Sequence, residues 1–296
     1  MTISAQNDLE WVHNGMAVIT ISRHPGSLGD TVARALAPRL RYRLVERGEL
    51  VQLATQIGGS DVAWDRAPEL RERSPSFWER LNEERRRYAS VLRRVTIQLA
   101  EEDDVVIVGL GAGQMLKGLG NVLRLQIIAP MDVRMARVME RGFDDIAGPL
   151  SRDKARDLIR SNDKDTNGYM RYLFNIEWMD PQNWDLVINT GRFSVGQTLD
   201  IVEAVVKSGT LEPSALDRQR LSNLALASRV EATVLGDPTV WVNGLKVVAQ
   251  EGRLRIEGEV ITEEDRDAVE QVVRLVEGVR LVENDLRVQP PPLTGM

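Results

Sequence analysis

The chain has 296 residues, 43% of them hydrophobic and 28% charged, which is typical of globular proteins and leaves room for two domains. Its formal net charge of −6 argues against a general nucleic-acid-binding role. With no cysteine and only two histidines, His13 and His24, the chain cannot form disulfides, zinc–thiolate sites or histidine-rich metal sites. No apolar run reaches the ~18 residues of a membrane span, and no signal-peptide core is present, so we expect a cytoplasmic protein.

The first structural signal is a strand, a glycine-bearing turn and a helix start. Val18–Ile21 predicts a short buried strand, and an apolar helical run follows Thr31. This order is that of a phosphate-binding loop, in which backbone N–H groups and a helix N-terminus cradle phosphate. The Thr31 hydroxyl is the candidate Mg²⁺ ligand. The candidate nucleotide-binding residues are Arg23, Gly26, Ser27, Gly29, Asp30 and Thr31.

The loop departs from that pattern at its cation, because Asp30 stands where a lysine is expected. Two unit charges about 4 Å apart interact by roughly 1 kcal/mol in water and roughly 4 kcal/mol at a partly buried site. Exchanging an attraction for a repulsion therefore costs about 2 to 8 kcal/mol of phosphate binding. Arg23 is the candidate surrogate cation. The alternative is structural, since a carboxylate in the first helical turn suits the dipole and Arg34 lies four residues on, where it can pair with Asp30.

Strands and helices alternate along the first two-thirds of the chain, as in an α/β protein with a parallel sheet. After the first strand, the sequence predicts an extended piece at 41–47 and buried strands at 105–108, 123–128 and 186–189. The predicted helices cover 48–57, 75–100 and 195–207. The glycine-rich turn at 109–113 ends a strand where open α/β sheets place ligands, although plain turn packing is the favoured explanation.

A helix beginning near Ser151 is the second candidate for chemistry. Arg152, Arg156 and Arg160 lie on one face of it, at i, i+4 and i+8. Cations placed in this way can close over phosphates and stabilise transferred charge, so these are the candidate catalytic residues. Aspartates interleave with them, and a solvated, salt-bridged helix face is the alternative.

The pattern changes after a linker at 208–213. A helix at 214–234, strand-forming runs at 240–249 and 252–258, a helix at 263–276 and a strand at 281–288 predict a small α+β module. A proline-rich tail follows it. We therefore expect two domains, at 1–209 and 210–296.

Residues 16 to about 205 resemble the cytidylate kinase-like family of P-loop nucleoside monophosphate kinases. The resemblance rests on Ile19-Thr20-Ile21-Ser22-Arg23-His24-Pro25-Gly26-Ser27, on Val105-Val106-Ile107-Val108-Gly109, on Arg134 and Arg137, and on Asp180-Pro181 with 184–190. It implies ATP and Mg²⁺ at the loop, a monophosphate nucleotide opposite, and arginines from a lid. Besides Asp30, two further departures oppose catalysis. Leu110 stands where an arginine would contact the acceptor nucleotide, and Thr166 where a lid arginine is expected.

Residues 222 to 288 resemble the BON domain, a small module associated with phospholipid or other ligand binding. The residues that carry the resemblance are Gly252, Leu254, Ile256, Gly258, Val260, Val276-Glu277-Gly278-Val279 and Val282-Glu283-Asn284. The resemblance implies a small-molecule or lipid-headgroup ligand for this module.

Together these features predict a P-loop kinase-like parallel sheet with flanking helices, followed by a small α+β BON module. The predicted function is nucleotide binding with weak or lost phosphoryl transfer to a nucleoside monophosphate, coupled to ligand sensing by the BON domain. The alternative is a non-catalytic regulatory or scaffold protein that binds no nucleotide and uses the helix at 75–100 to form a homodimer. The sequence leaves the choice between enzyme and pseudokinase open.

Overall fold

The computed structural model describes residues 17–58, 82–143 and 146–289. Up to residue 207 the elements are β1 (Val18–Arg23), α1 (Gly29–Leu40), β2 (Arg43–Val45), α2 (Arg47–Gly58), α3 (Asn82–Glu101), β3 (Val105–Val108), α4 (Ala112–Met115), β4 (Val122–Ile128), α5 (Met131–Arg141), β5 (Gly142–Phe143), β6 (Ile146–Ala147), α6 (Arg152–Phe174), β7 (Leu186–Asn189) and α7 (Val195–Lys207). The later elements are α8 (Ala215–Gly236), β8 (Asn243–Gln250), β9 (Arg253–Val260), α9 (Glu263–Arg274) and β10 (Leu281–Val288).

The first sheet has five parallel strands in the order β2-β3-β1-β4-β7, which confirms the predicted α/β fold class. Helices cover both of its faces because the strand residues alternate between two cores. Val105 and Ile107 of β3 join the core under α2, α3 and α4. Val106 and Val108 join the core under α1 and α7. The central strand β1 ends at Arg23, so the loop that follows it lies at the carboxyl edge of the sheet, where α/β proteins bind ligands.

The second sheet has three strands in the order β10-β9-β8, with β9 parallel to β10 and antiparallel to β8. The predicted period of two in β9 is confirmed, because Leu254 and Ile256 are buried whereas Arg253 and Arg255 are exposed. The buried face packs against α8 and α9. This sheet fits the predicted α+β module.

Helix α8 packs against both sheets' cores. Leu221, Leu224 and Ala225 contact the core that includes α3, whereas Leu226 and Val230 contact the core of the second sheet. The division of the chain at 209 therefore stays a prediction. Because α3 is covered by α2 and α8, it offers less surface for self-association than its sequence suggests, and a homodimer also stays a prediction.

The helix predicted at 75–100 lies only partly within the described residues, α6 extends beyond the stretch that the sequence singled out, and α5 was not predicted. Helix α3 is described from Asn82, and the remainder of its predicted span lies outside the described residues. Helix α6 continues past Arg160 to Phe174, and α5 follows β4 directly. Among the described residues, no helix is long and apolar enough to cross a membrane.

Candidate phosphate-binding site

The loop between β1 and α1 has the backbone of an anion cradle. Gly26 has a φ of +73°, and a Cβ there would come 2.7 Å from the backbone oxygen of Arg134. Leu28 precedes α1 in the left-handed region with a φ of 64°, and no side chain caps the helix. The first N–H groups of an α-helix have no partner within the helix, so this end of α1 presents donors of the kind that bind phosphate.

Arg23 lies across this loop. Its Nε donates a hydrogen bond to Asp30 Oδ1 at 2.9 Å. A Cβ on Gly29 would clash with the Arg23 side chain, and a Cβ on Gly109 would come 2.8 Å from Arg23 Nη1. Glycine at 29 therefore leaves room for the arginine, and the φ of +82° favours glycine at 109. The guanidinium lies between the start of α1 and the turn after β3.

The alternative in which Asp30 pairs with Arg34 is wrong. Arg34 instead pairs with Glu46, just before α2, at 2.8 Å. Asp30 takes Arg23 as its partner because the end of β1 brings that side chain over the first turn of α1. Among the described residues, Arg23 is the side-chain cation in ion-pair contact with Asp30. The candidate cation of the loop is therefore already paired with a carboxylate.

Two hydroxyls of the loop differ in their surroundings. Ser27 is fully buried, and its Oγ has no hydrogen-bond partner. Its carbonyl oxygen accepts a 2.7 Å hydrogen bond from Thr190 Oγ1. Thr31 is exposed in the first turn of α1. The predicted loop residues Arg23, Gly26, Ser27, Gly29, Asp30 and Thr31 therefore do come together.

Two arginines of α5 hold the outer side of the loop. Arg134 donates from Nε to the Pro25 carbonyl at 2.8 Å, and its other nitrogens bind both oxygens of Asp163 in α6 at 2.7 and 2.9 Å. Arg137 donates to the Gly26 carbonyl at 3.2 Å and to the Thr190 carbonyl at 2.8 Å. The sequence resemblance pointed to both arginines, but only the structure shows that they support the loop backbone.

His24 is buried beside these groups. Its ring lies 4.6 Å from that of Trp178, whose Nε1 donates to Ser22 Oγ at 2.8 Å. Burial, together with the nearby charge of Arg134, lowers the pKa of His24 from 6.5 to about 4. The imidazole is therefore neutral at physiological pH. Trp178 and Trp184, both buried, anchor the irregular segment before β7.

We expect acid to destabilise the protein through His24. Between about pH 6.5 and about pH 4 the unfolded chain binds more protons than the folded one, so this contribution to stability falls as the pH falls. The full loss is about 3 kcal/mol. His24→Phe keeps an aromatic ring against Trp178 but does not titrate. Thermal unfolding at about pH 7 and about pH 4.5 should show a smaller acid shift in the variant. An identical shift in both proteins would contradict the assignment.

The candidate lid arginines lie at the start of α6. Arg152 and Arg160 are exposed, and Arg156 pairs with Asp153 at 2.9 Å and with Asp157 at 3.6 Å. The neighbouring face of α6, formed by Ala155 and Ile159, packs on α5. Arg156 is thus part of a salt-bridged face.

The two other departures from the family pattern are buried. Leu110 has a φ of 53°, and its carbonyl accepts a 3.1 Å hydrogen bond from Tyr169 Oη. A Cβ on Gly111 would clash with the ring of Phe174. The glycine-rich turn is therefore closely packed against α6, as expected. Thr166 is buried within α6.

Comparison with known proteins agrees with this architecture. The model of the cytidylate kinase-like family matches residues 18–192, and that of the BON domain matches residues 222–290. The cytidylate kinase of Methanosarcina acetivorans is 28% identical over 64% of this chain and 95% of its own length. That of Methanosphaerula palustris is 29% identical over 64% of this chain and 96% of its own length.

A solved structure, of an uncharacterized protein from Eubacterium ventriosum, shares the fold with a TM-score of 0.50. It is 23% identical and covers 65% of this chain and 99% of its own. The chain therefore belongs to the cytidylate kinase-like family and carries a BON domain after the kinase-like sheet.

Proposed function

We propose that the loop between β1 and α1 binds a nucleoside triphosphate with Arg23 as its cation, and that phosphoryl transfer to a nucleoside monophosphate is slow or lost. The observation that carries the proposal is the ion pair between Arg23 and Asp30, 2.9 Å long, at the phosphate loop. A phosphate that approaches Arg23 competes with this carboxylate and is repelled by it. Binding is therefore weaker than at a loop with an unopposed lysine.

The exposure of the pair sets the size of this effect. The side chains of Arg23 and Asp30 are 26% and 47% exposed, so water screens part of the interaction. The repulsion between Asp30 and a phosphate consequently lies toward the lower end of the ~1 to ~4 kcal/mol expected for charges about 4 Å apart. Nucleotide affinity is reduced by this repulsion but not abolished.

The loop residues fit a nucleotide with Mg²⁺. The uncapped first turn of α1 is suited to phosphate, and the exposed Thr31 hydroxyl would hold the metal. Bound Mg²⁺ neutralises phosphate charge and orients the phosphoryl group. Among the described residues, no acidic cluster suits a metal by itself, so the remaining ligands would be phosphate oxygens and water.

Phosphoryl transfer is slow because few cations are available around the loop. Arg152 and Arg160 are free of close carboxylate partners in the described part of the chain and are the residues proposed to contact the transferred group. Arg156 would assist only after leaving Asp153 and Asp157. Phosphoryl transfer depends on electrostatic stabilisation, and neither Leu110 nor Thr166 supplies positive charge. Cytidine monophosphate is the acceptor to test first, because the relatives named above are cytidylate kinases.

The BON domain is proposed to sense a small-molecule or lipid-headgroup ligand inside the cell. Helix α8 supports this part of the proposal, because it packs against both α3 and the second sheet. A ligand that shifts α8 would act on the kinase-like core directly.

We expect Arg23→Met to weaken binding of fluorescent N-methylanthraniloyl-ATP by at least tenfold, because it removes the loop's cation. Arg39→Met is the matched control. Arg39 lies at the other end of α1 and pairs with Asp200 at 2.7 Å, so its removal should leave affinity unchanged. CDP formation from ATP and CMP, followed in the same proteins, should be slow and should disappear with Arg23. Equal affinity in both variants would contradict the role of Arg23.

The ion pair also supports a second function, that of a scaffold whose loop is filled by its own charges. The distinguishing result is nucleotide binding after the carboxylate is neutralised. A scaffold whose cradle no longer accepts phosphate would bind no nucleotide in either the natural protein or the Asp30→Asn variant.

A further inference from the structure

A cavity of about 480 Å³ lies between the kinase-like sheet and the BON domain. Its walls come from α3, α4, the end of α6, α8 and β8. Its volume falls within the range of small-molecule sites, which is roughly 300 to 1,000 Å³. The cavity is separate from the phosphate loop, because none of the loop residues lines it.

Apolar side chains form much of the wall. They are Met115, Leu173, Phe174, Leu235 and Leu245, together with Ala89. Leu173 and Phe174 end α6, Leu235 lies near the end of α8, and Leu245 belongs to β8. An occupant with an aliphatic or aromatic body would bury apolar surface against all three elements, and such burial stabilises by about 25 cal/mol per Å².

A few polar groups converge on the same cavity. Ser90 is only 3% exposed, and its Oγ has no hydrogen-bond partner. Buried hydroxyls without a partner are uncommon, because each loses its hydrogen bonds to water. Ser90 lines the cavity, so a polar ligand group that reached this hydroxyl would supply its missing partner.

The charges in the cavity favour an anion. Arg93 pairs with Glu231 across it at 3.3 Å, and Lys246 adds a second cation with no ion pair among the described residues. Burial raises the pKa of Glu231, although Arg93 opposes the shift. Arg93 and Lys246 are two cations among the lining residues and Glu231 is one carboxylate, so the charges that line the cavity sum to a net positive charge.

We propose that this cavity is the sensing site and binds a small organic monoanion with an apolar body. The acid group meets Arg93 and Lys246, and the body lies against Phe174 and Leu245. This inference deepens the sensing part of the proposed function, but binding in the cavity does not require nucleotide at the loop.

A series of contacts links the wall of the cavity to the phosphate site. The ring of Phe174 packs on Gly111, and Tyr169 donates to the Leu110 carbonyl in the same turn. That turn begins at Gly109, which Arg23 approaches from the other side. An occupant that shifts Phe174 would act on the turn that contacts the loop's cation.

The test uses 1-anilinonaphthalene-8-sulfonate as the anionic probe and N-phenyl-1-naphthylamine as a neutral probe with the same aromatic body. We expect saturable binding of one sulfonate per chain, displacement by sodium decanoate, and affinity for the neutral amine at least fivefold weaker. Lys246→Glu should weaken the sulfonate at least fivefold. Lys154→Glu, an equal charge change in the first turn of α6, should not.

Ala89→Trp, which fills the cavity from α3, should abolish binding while circular dichroism shows the fold retained. The proposal would be overturned if the neutral amine bound as tightly as the sulfonate. It would also be overturned if sulfonate binding were unchanged in Lys246→Glu or in a folded Ala89→Trp protein. The Arg23→Met variant separates the two accounts. If that variant keeps the sulfonate site, a failure of nucleotide binding concerns the loop alone.

Discussion

The Asp30→Asn protein is expected to bind ATP at least tenfold more tightly than the natural sequence. Asparagine keeps the size of the side chain and removes the carboxylate that occupies Arg23 at 2.9 Å and repels phosphate. Tenfold corresponds to about 1.4 kcal/mol. This is less than the ~4 kcal/mol that one charge pair at about 4 Å contributes in a partly buried site, because Asp30 is partly exposed and water screens its charge. Titration with N-methylanthraniloyl-ATP measures the change.

Asp200→Asn is the control for this variant. Asp200 pairs with Arg39 of α1 at 2.7 Å, at the end of the helix opposite Asp30, so its loss changes net charge equally without altering the loop. Asp30→Lys, which restores the cation of the phosphate-loop pattern, should also strengthen binding. If neither Asp30 variant gains affinity, the backbone of the loop does not accept phosphate.

Arg134→Met is expected to destabilise the protein by about 3 to 5 kcal/mol, because it leaves the largely buried carboxylate of Asp163 without its partner. The side chains of this pair are only 5% and 14% exposed, and Arg134 also holds the Pro25 carbonyl. Urea unfolding followed by tryptophan fluorescence measures the loss, since Trp178 packs on His24 beside Arg134.

Arg171→Met provides the matched comparison. Arg171 pairs with Glu177, but these side chains are 61% and 55% exposed, so the loss should be much smaller than that of Arg134→Met. The double variant Arg134→Met, Asp163→Leu should recover part of the stability by removing the unpaired carboxylate. Equal losses from Arg134→Met and Arg171→Met would contradict a buried supporting role for Arg134.

The parallel sheet could be predicted from the sequence because its strands are short, fully apolar runs such as that at 105–108. The strand–turn–helix order of the loop between β1 and α1 could be predicted because its residues are contiguous in the chain. The partner of Asp30 could not. Helical spacing favoured Arg34, but the end of β1 brings Arg23 closer, and Arg34 reaches Glu46 instead.

Features built from segments that are distant in the chain also could not be predicted from the sequence. Arg134 and Arg137 stand three residues apart, which suggests one helix face but not that this face holds the carbonyls of the loop. The cavity between the domains depends on Ser90 from α3 and Lys246 from β8, which only the packing of α8 brings together. In each case tertiary contact, and not local pattern, decides the role of the residue.

Calorimetric titration of ATP into the natural protein, with and without Mg²⁺, tests the central claim most directly. A retained but weakened phosphate loop predicts saturable, Mg²⁺-dependent heat that Arg23→Met removes. No detectable heat up to millimolar ATP, in both the natural protein and the Asp30→Asn variant, would contradict nucleotide binding and leave the scaffold function.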